Sequence, residues 1–319
     1  MPVHNARIRR LGSIDIGTNT IKLLIADTDG LEISPVYQES IQTRLGAGLS
    51  ESNHLSQQAI DRTRAVVTDY LRKASELSAE SVIGNATSAV RDAENGELFV
   101  QQLEKETGIS VAIISGNEEA NLIYRGTNTA HRSSTNHRLI LDVGGGSTEM
   151  ILAINQRITA RESFNVGSVR LLEQSNLIDP LDRSQLRAID RIIATHYTPL
   201  IAAAKPHLES NSGFDLIAAG GGAVAASMLL SKSITFLPDQ IESRPLKLTD
   251  LQQLNERLWD SSLQERIDWP GMPKERADIL PIGIAIFAHL LDALGLQELH
   301  VSTRGLRFGL LLQHYECTR

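Results

Sequence analysis

One short pattern of residues that could hold phosphate occurs twice in this 319-residue chain. The first copy is Asp15-Ile16-Gly17-Thr18-Asn19-Thr20 and the second is Asp142-Val143-Gly144-Gly145-Gly146-Ser147, with Asp15 and Asp142 127 positions apart. Successive N–H groups in a glycine turn form a concave anion site, because glycine lets the backbone approach the ligand closely. The carboxylates would hold Mg²⁺, directly or through water. The repeat therefore predicts two loops that grip one phosphate-containing ligand.

The segments around each copy predict the elements that position it. Each turn lies between two apolar runs, and we predict further strands over residues 20–27, 31–40, 149–154 and 158–165. The order strand, turn, strand, turn, strand recurs, which indicates a structural repeat. Apolar spacing predicts helices over residues 55–77, 94–107, 117–124, 180–204, 248–258 and 282–294, with short strands at 81–85, 109–114 and 216–219 and a strand and helix within 300–313. The chain is thus predicted to form two α/β domains, each opening with an antiparallel meander, with residues 127–138 as the linker between them.

Composition excludes several classes of function. The length suits two domains, the apolar fraction of 41% is typical of a globular protein, and the net charge of −7 argues against a general nucleic-acid binder. The single cysteine, Cys317, cannot form an internal disulfide and indicates a cytoplasmic setting. The N-terminus has no secretory signal, and the longest apolar run, 279–291, is too short to cross a bilayer. We therefore predict a soluble protein in which this run is a buried helix.

Two adjacent glutamates begin the predicted helix after Ser115. Acidic residues favour the positive end of the helix dipole, which accounts for Glu118. Glu119 lies on the segment that joins the two halves of the repeat, and a carboxylate there could orient and deprotonate a water that attacks phosphorus. Glu119 is therefore the candidate general base.

Three further segments have two interpretations each. Arg91 ends a small-residue loop over 84–92 and is either a solvated residue or a phosphate ligand, since its guanidinium fork matches phosphate. Residues 220–223 are either a tight turn or the start of a helix that could bind an anion, and they fit neither the Rossmann nor the P-loop pattern. For Arg276, the sequence alone does not distinguish an ordinary surface position from a position in the site.

Six segments in this order together resemble the exopolyphosphatase/guanosine pentaphosphate phosphohydrolase (Ppx/GppA) family of the actin–Hsp70–sugar kinase superfamily. They span nearly the whole chain: 14–20, 44–49, 86–93, 114–120, 142–149 and 275–279. The resemblance implies two ribonuclease H-like (actin-like ATPase) domains with an interdomain cleft, as in the short two-domain form of the family. The first domain would be residues 1–125, completed by the C-terminal helix 304–319, and the second residues 126–303. Ala223 and Phe308 stand where the family usually has Thr and often has Glu, so we assign no chemistry to either segment.

The resemblance also implies the role of each site residue. Glu119 becomes the catalytic base, Arg91 a ligand of the reacting phosphate, and Asp142 and Glu149 the ligands of Mg²⁺ or another divalent metal. Phosphate binding falls to Asp15, Gly17, Thr18, Asn19, Thr20, Gly144, Gly145, Gly146, Ser147 and Arg276.

The implied reaction is hydrolysis of the terminal phosphoanhydride of inorganic polyphosphate, and of pppGpp, with release of orthophosphate. No nucleic-acid or membrane partner is expected, and a homodimer remains open. Two other functions would use the same residues: a kinase that transfers phosphate to an acceptor, and a non-catalytic sensor of polyphosphate or pppGpp. The Glu118-Glu119 pair favours water as the nucleophile, and the joint presence of Glu119, Asp142, Glu149 and Arg91 argues against a sensor.

Overall fold

The chain forms two compact units, Met1–His131 with Arg304–Arg319 and Arg132–Thr303. The structure is a computed structural model that describes residues 7–130, 137–175, 183–210 and 213–318. Each unit contains one mixed β-sheet with helices packed against it.

The sheet of the first unit has five strands in the order β3-β2-β1-β4-β5. The strands are β1 (Arg9–Ile16), β2 (Thr20–Thr28), β3 (Ile33–Gln42), β4 (Ser81–Ala86) and β5 (Ser110–Ile113). The first three form the predicted antiparallel meander, and β4 and β5 run parallel to β1. Alternate residues of β1 enter two different cores, Ile14 and Ile16 on one face and Leu11 on the other, because side chains alternate along a strand.

Five helices of the first unit lie between its strands or directly after β5, among the residues that are described. They are α1 (Leu49–Ser52), α2 (Gln57–Glu76), α3 (Ser88–Asp92), α4 (Gly96–Thr107) and α5 (Gly116–Thr127). Ser56 caps α2 through its side chain, which accepts a hydrogen bond from the Ala59 amide. Gly108 ends α4 in the left-handed conformation, at the predicted position. Helix α3 corrects the prediction of a loop over 84–92.

The sheet of the second unit has six strands in the order β10-β11-β9-β6-β7-β8. They are β6 (His137–Val143), β7 (Thr148–Ile154), β8 (Arg157–Phe164), β9 (Phe214–Ala219), β10 (Leu246–Lys247) and β11 (Glu298–Val301). Strands β6 to β8 are antiparallel, whereas β9 and β11 continue parallel to β6. The order β8-β7-β6-β9-β11 thus repeats the order and directions of β3-β2-β1-β4-β5, which confirms that the repeat is structural.

The helices of the second unit include the predicted buried one. They are α6 (Ser168–Ser175), α7 (Arg183–Ser210), α8 (Gly221–Ser231), α9 (Pro238–Ser243), α10 (Leu248–Trp259), α11 (Leu263–Ile267) and α12 (Leu280–Ala293), with a 3₁₀ turn at Lys274–Arg276. Helix α12 is buried along most of its length, as the apolar run predicts. The predicted start of α7 at residue 180 and part of the predicted 127–138 linker lie outside the described residues. Among the residues that are described, no helix combines the length and hydropathy needed to cross a bilayer.

The last helix, α13 (Leu306–Cys317), returns to the first unit and lies directly against α5. Two glycines allow this contact: a Cβ on Gly126 would overlap the carbonyl oxygen of Gly305, and a Cβ on Gly309 would overlap that of Leu122. On its other side, α13 packs Phe308 and Tyr315 against the sheet. The helix therefore connects the sheet to α5.

His314 of α13 makes the stability of this unit depend on pH. Its Nε2 lies 2.7 Å from Oγ of Ser81 on β4, and burial, followed by the charge of Arg9, lowers the pKa of the imidazole below its ordinary 6.5. Below pH 6.5 the unfolded chain binds more protons than the folded one, so stability falls as the pH falls through this range.

We expect His314→Gln, which keeps a partner for Ser81, to weaken this dependence. The midpoint of thermal unfolding, Tm, would be measured at pH 7.5 and at pH 5.5. The decrease in Tm between the two pH values should be smaller for the variant than for the wild type. Replacing the exposed His54 by Gln is the control. Equal decreases in Tm in all three proteins would show that His314 does not contribute to the pH dependence of stability.

Candidate active site

The glycine turn of the second unit lies beside two carboxylates. Asp142 near the end of β6 and Glu149 on β7 are directly opposed in the antiparallel pair. Glu149 is buried, and its Oε1 accepts a 2.8 Å hydrogen bond from Oγ of Ser163. A Cβ on Gly220 would overlap Oδ1 of Asp142, so only glycine allows the turn after β9 to approach this carboxylate.

These two carboxylates fit a magnesium ion. Directly opposed residues of an antiparallel pair have Cβ atoms about 4.5–5.5 Å apart, close enough for both side chains to approach one ion. Mg²⁺ is usually bound by one or two carboxylates, with water and substrate phosphate completing its shell. Within the described ranges, no group of three or more His, Cys, Asp or Glu residues could hold a metal. The protein would therefore supply two ligands and leave the remaining positions for water and phosphate.

The first residues of α6 donate hydrogen bonds to the glycine turn of the second unit. Their amides donate to the turn's carbonyls, Ser168 to Gly144 and both Val169 and Arg170 to Gly145, at 2.9–3.0 Å. Nε of Arg170 also donates to the carbonyl oxygen of Gly146 at 3.0 Å. A Cβ on Gly167 would lie 2.6 Å from the backbone of Gly145, so this support requires glycine as well.

The amides of the turn are not used in the same way. Gly144 N donates to the carbonyl of Ser147, which closes the turn. Among the described residues, no backbone hydrogen bond has the amide of Gly145, Gly146 or Ser147 as its donor. With the carbonyls held by α6, these N–H groups can form the predicted anion site.

The turn of the first unit is built in the same way. Gly17 N donates to the carbonyl of Thr20, as Gly144 does in the second turn. The chain after β3 supports it: the amides of Thr43 and Arg44 donate to the carbonyl of Asn19, and that of Gly46 to the carbonyl of Thr18. The side chains of Thr18, Asn19 and Thr20 are buried. Each turn is therefore supported from the segment that follows its meander.

The two turns differ in charge. Asp15 is opposed on β2 by Lys22, whose Nζ lies 3.5 Å from its Oδ2, whereas Asp142 is opposed by Glu149. The adjacent ammonium offsets the charge of Asp15 and so reduces the local negative charge that would attract a metal. The second turn is therefore the one whose charge favours a cation.

The buried Glu119 and the partly exposed Arg91 form an ion pair near the first turn. Nη1 of Arg91 lies 3.3 Å from Oε2 of Glu119 and 2.8 Å from the carbonyl oxygen of Ile114, and Glu119 is only 7% exposed. The amide of Thr87, which begins the segment carrying Arg91, donates to Ile16 at the end of β1. Both side chains thus lie at the carboxyl ends of β1, β4 and β5, the edge at which α/β sheets usually bind ligands.

Glu118 has the structural role that its position indicates. Its carboxylate accepts hydrogen bonds from the amide and hydroxyl of Ser115, and the Ser115 hydroxyl accepts from the Glu118 amide, forming a capping box. These bonds from Ser115 lower the pKa of Glu118. Glu118 therefore stabilises the start of α5.

Arg276 is not a free surface residue. Its half-buried guanidinium lies at the start of α8, where a Cβ on Gly221 would be 2.6–2.8 Å from three guanidinium atoms. Burial lowers the pKa of Arg276. A helix N-terminus and a guanidinium are both positive, so together they favour an anion.

Residues 24–316 match the model of the Ppx/GppA phosphatase family. The chain belongs to this family.

Relatives in the Ppx/GppA family match the chain from end to end. The protein named Exopolyphosphatase 2 of Mycobacterium tuberculosis is 29% identical over 96% of this chain and 98% of its own. The crystal structure of an exopolyphosphatase from Cytophaga hutchinsonii is 28% identical, with a TM-score of 0.87 over 97% and 98% of the two chains. A Ppx/GppA family member from Aquifex aeolicus is 24% identical, with a TM-score of 0.80 over 98% and 99%. These matches confirm the α/β fold class.

Two arginines contact the candidate site of this Ppx/GppA member but were not predicted from the sequence. Arg170 contacts the second turn through its side chain, but the segment from 168 carries no motif that would mark it. Arg307 lies in the first turn of α13, donates to the carbonyl oxygen of Leu23 at 2.8 Å and interacts with Asp15. Burial lowers the pKa of Arg307 while Asp15 raises it. No sequence motif marks Arg307, and its neighbour Phe308 is a core residue.

Proposed function

We propose that this protein hydrolyses the terminal phosphoanhydride of inorganic polyphosphate and releases orthophosphate. Membership of the Ppx/GppA phosphatase family and similarity to two exopolyphosphatases support this substrate class. The observation that carries the proposal is the ion pair of the buried Glu119 with Arg91 at the carboxyl ends of the strands. A carboxylate held by a guanidinium near a phosphate-binding turn is suited to activating water.

In the proposed reaction, Glu119 accepts a proton from water as the water oxygen attacks the terminal phosphorus. The new P–O bond forms while the anhydride P–O bond breaks, and the shortened polyphosphate leaves with the bonding electron pair. The proton held by Glu119 is then released to solvent. Arg91 orients the Glu119 carboxylate and stabilises the negative charge on the transferred phosphoryl group.

Phosphate binding is divided between the two turns in this proposal. The amides of Gly145 to Ser147 donate to phosphate oxygens, and Arg276 with the start of α8 contributes a further anion contact. Asp15 and the Thr18 to Thr20 segment contribute from the first unit. When bound by Asp142 and Glu149, Mg²⁺ would offset phosphate charge.

The substrate is tested by measuring orthophosphate release from short polyphosphate, long polyphosphate and pppGpp in Mg²⁺. We expect release from polyphosphate without any added acceptor and loss of release on addition of EDTA. The value of kcat/KM for pppGpp shows whether the same site accepts this second terminal anhydride. Turnover only with an added acceptor would identify a kinase, and binding of polyphosphate without turnover would identify a sensor; either result would overturn the proposal.

A further inference from the structure

Several buried side-chain atoms of the first unit have no hydrogen-bonding partner among the residues that the structure describes, and three of them lie on neighbouring strands of its sheet. These three are Oδ1 of Asp15 and both Oδ1 and Nδ2 of Asn85. Asp15 is 4% exposed and Asn85 is 0% exposed. Buried polar groups are almost always hydrogen bonded, and ordered water is a common partner where protein groups do not reach.

The two side chains lie next to each other in the sheet. Asp15 on β1 and Asn85 on β4 are register partners in a parallel pair, and neighbouring strands are about 4.7–4.9 Å apart. Their side chains share the face that also carries Ser13, whose hydroxyl donates to the backbone carbonyl of Arg307 at the start of α13. The unpartnered atoms therefore lie on the side of the sheet covered by α13.

The charges around this position exclude some occupants. Lys22 lies 3.5 Å from the other oxygen of Asp15, and the guanidinium of Arg307 also interacts with this carboxylate. Two cations already accompany one anion, which disfavours a bound metal ion. The atoms are closed to solvent, which excludes a large ligand. A single neutral molecule that both donates and accepts hydrogen bonds is the occupant that fits.

We propose that one buried water bridges Asn85 and Asp15, and that Asn85 thereby positions the Asp15 carboxylate beside the first turn. The water donates to Oδ1 of Asp15 and accepts from the amide of Asn85. Lys22 and Arg307 restrain the same carboxylate by charge. The functional consequence rests on the proposed function, because Asp15 contributes to phosphate binding there, whereas the water itself can be tested without any activity.

The first test is a crystal structure of the wild-type protein at a resolution that shows ordered water. We expect a fully occupied water within about 2.7–3.2 Å of both Oδ1 of Asp15 and the amide of Asn85. Direct hydrogen bonds from the Asn85 amide to protein atoms, with no water there, would overturn the proposal. This outcome does not depend on whether polyphosphate is the substrate.

The second test compares Asn85→Leu with Asn85→Ser. The leucine removes the amide that donates to the water, and we expect KM for polyphosphate to rise about tenfold while kcat changes much less, as for the loss of one hydrogen bond to a charged group. Serine keeps a hydroxyl and leaves room for water, so it should restore most of the affinity. If serine is no better than leucine, the water does not act through Asn85.

A matched control separates this effect from the general cost of changing a buried polar residue. Thr63 on α2 is also fully buried, and its hydroxyl has no partner among the described residues, but it faces away from the Asp15 side of the sheet. Thr63→Val should leave KM unchanged. An equal rise in KM for Thr63→Val and Asn85→Leu would assign the effect to packing and overturn the positioning role.

Discussion

Replacing Glu119 by Gln is expected to lower kcat for orthophosphate release by about 10²–10⁴-fold, the usual contribution of general-base catalysis. The amide has the size of the carboxylate and keeps an oxygen for Arg91, but it cannot accept the proton of the attacking water. This loss corresponds to about 3–5 kcal/mol of activation free energy. Steady-state orthophosphate release, with circular dichroism to confirm folding, measures it.

The adjacent Glu118 supplies the matched control. Glu118→Gln makes the same chemical change one residue earlier, where the carboxylate serves the capping box and not the reaction. Glutamine is also accepted at this capping position, so the variant should stay close to wild-type kcat. A Glu119→Gln enzyme with near-normal turnover, or equal losses in the two variants, would remove Glu119 from the role of base.

Replacing Gly309 by Ala is expected to have the largest effect on folding. A Cβ at this position would overlap the backbone carbonyl oxygen of Leu122 on α5, and a backbone atom cannot move aside as a flexible side chain can. We expect a loss of about 3 kcal/mol in the free energy of unfolding, at the upper end of the range for overpacking. Urea denaturation would measure it. Because α5 also carries Glu119, kcat should fall even under conditions in which the variant remains folded.

Gly283 provides the control for this substitution. It lies within α12, and a Cβ added there meets no atom within 4 Å. Gly283→Ala should therefore stabilise the protein by about 0.5–1 kcal/mol, since alanine loses less backbone entropy than glycine in a helix. A Gly309→Ala variant as stable as the wild type would contradict the close contact between α5 and α13.

Helix α5 connects the stability of the first unit to the candidate site. Helix α5 begins at the capping box of Ser115 and Glu118, presents Glu119 in its first turn, and contacts α13 near its end. A change at the far end of α5 can therefore displace the carboxylate at its start. The glycine turns depend on distant residues in the same way, since the carbonyls of Gly144 to Gly146 are held by the start of α6.

Several features of this molecule could be read from residues close together in the chain. The two meanders, the helix that begins after Ser115, the end of α4 at residue 107 and the burial of α12 all match the predictions. Each depends on a local property: the alternation of side chains, the conformational freedom of glycine, or the length of an apolar run. The assignment of Glu118 to the helix start succeeded for the same reason, because a capping box lies within four residues.

Other features could not be predicted because their partners are far away in sequence. Small residues over 84–92 indicate a loop, but Ser88–Asp92 is helical and holds Arg91 against the carbonyl of Ile114. The segment of α6 carries no signal that its amides support a turn more than twenty residues earlier. Arg276 looks like a surface residue until folding places it against Gly221.

The repeat at Asp15 and Asp142 shows most clearly which features depend on local sequence and which depend on tertiary structure. By itself the sequence determined that two turns of the same kind occur, because an aspartate, a glycine and a hydroxyl at fixed spacing dictate the backbone that a turn can adopt. Only the tertiary structure decided that the turns differ in charge environment. Strand pairing places Lys22 opposite Asp15 and Glu149 opposite Asp142, and α13 brings Arg307 to Asp15 from the other end of the chain. Electrostatic interactions depend on distance in space, which sequence spacing does not give.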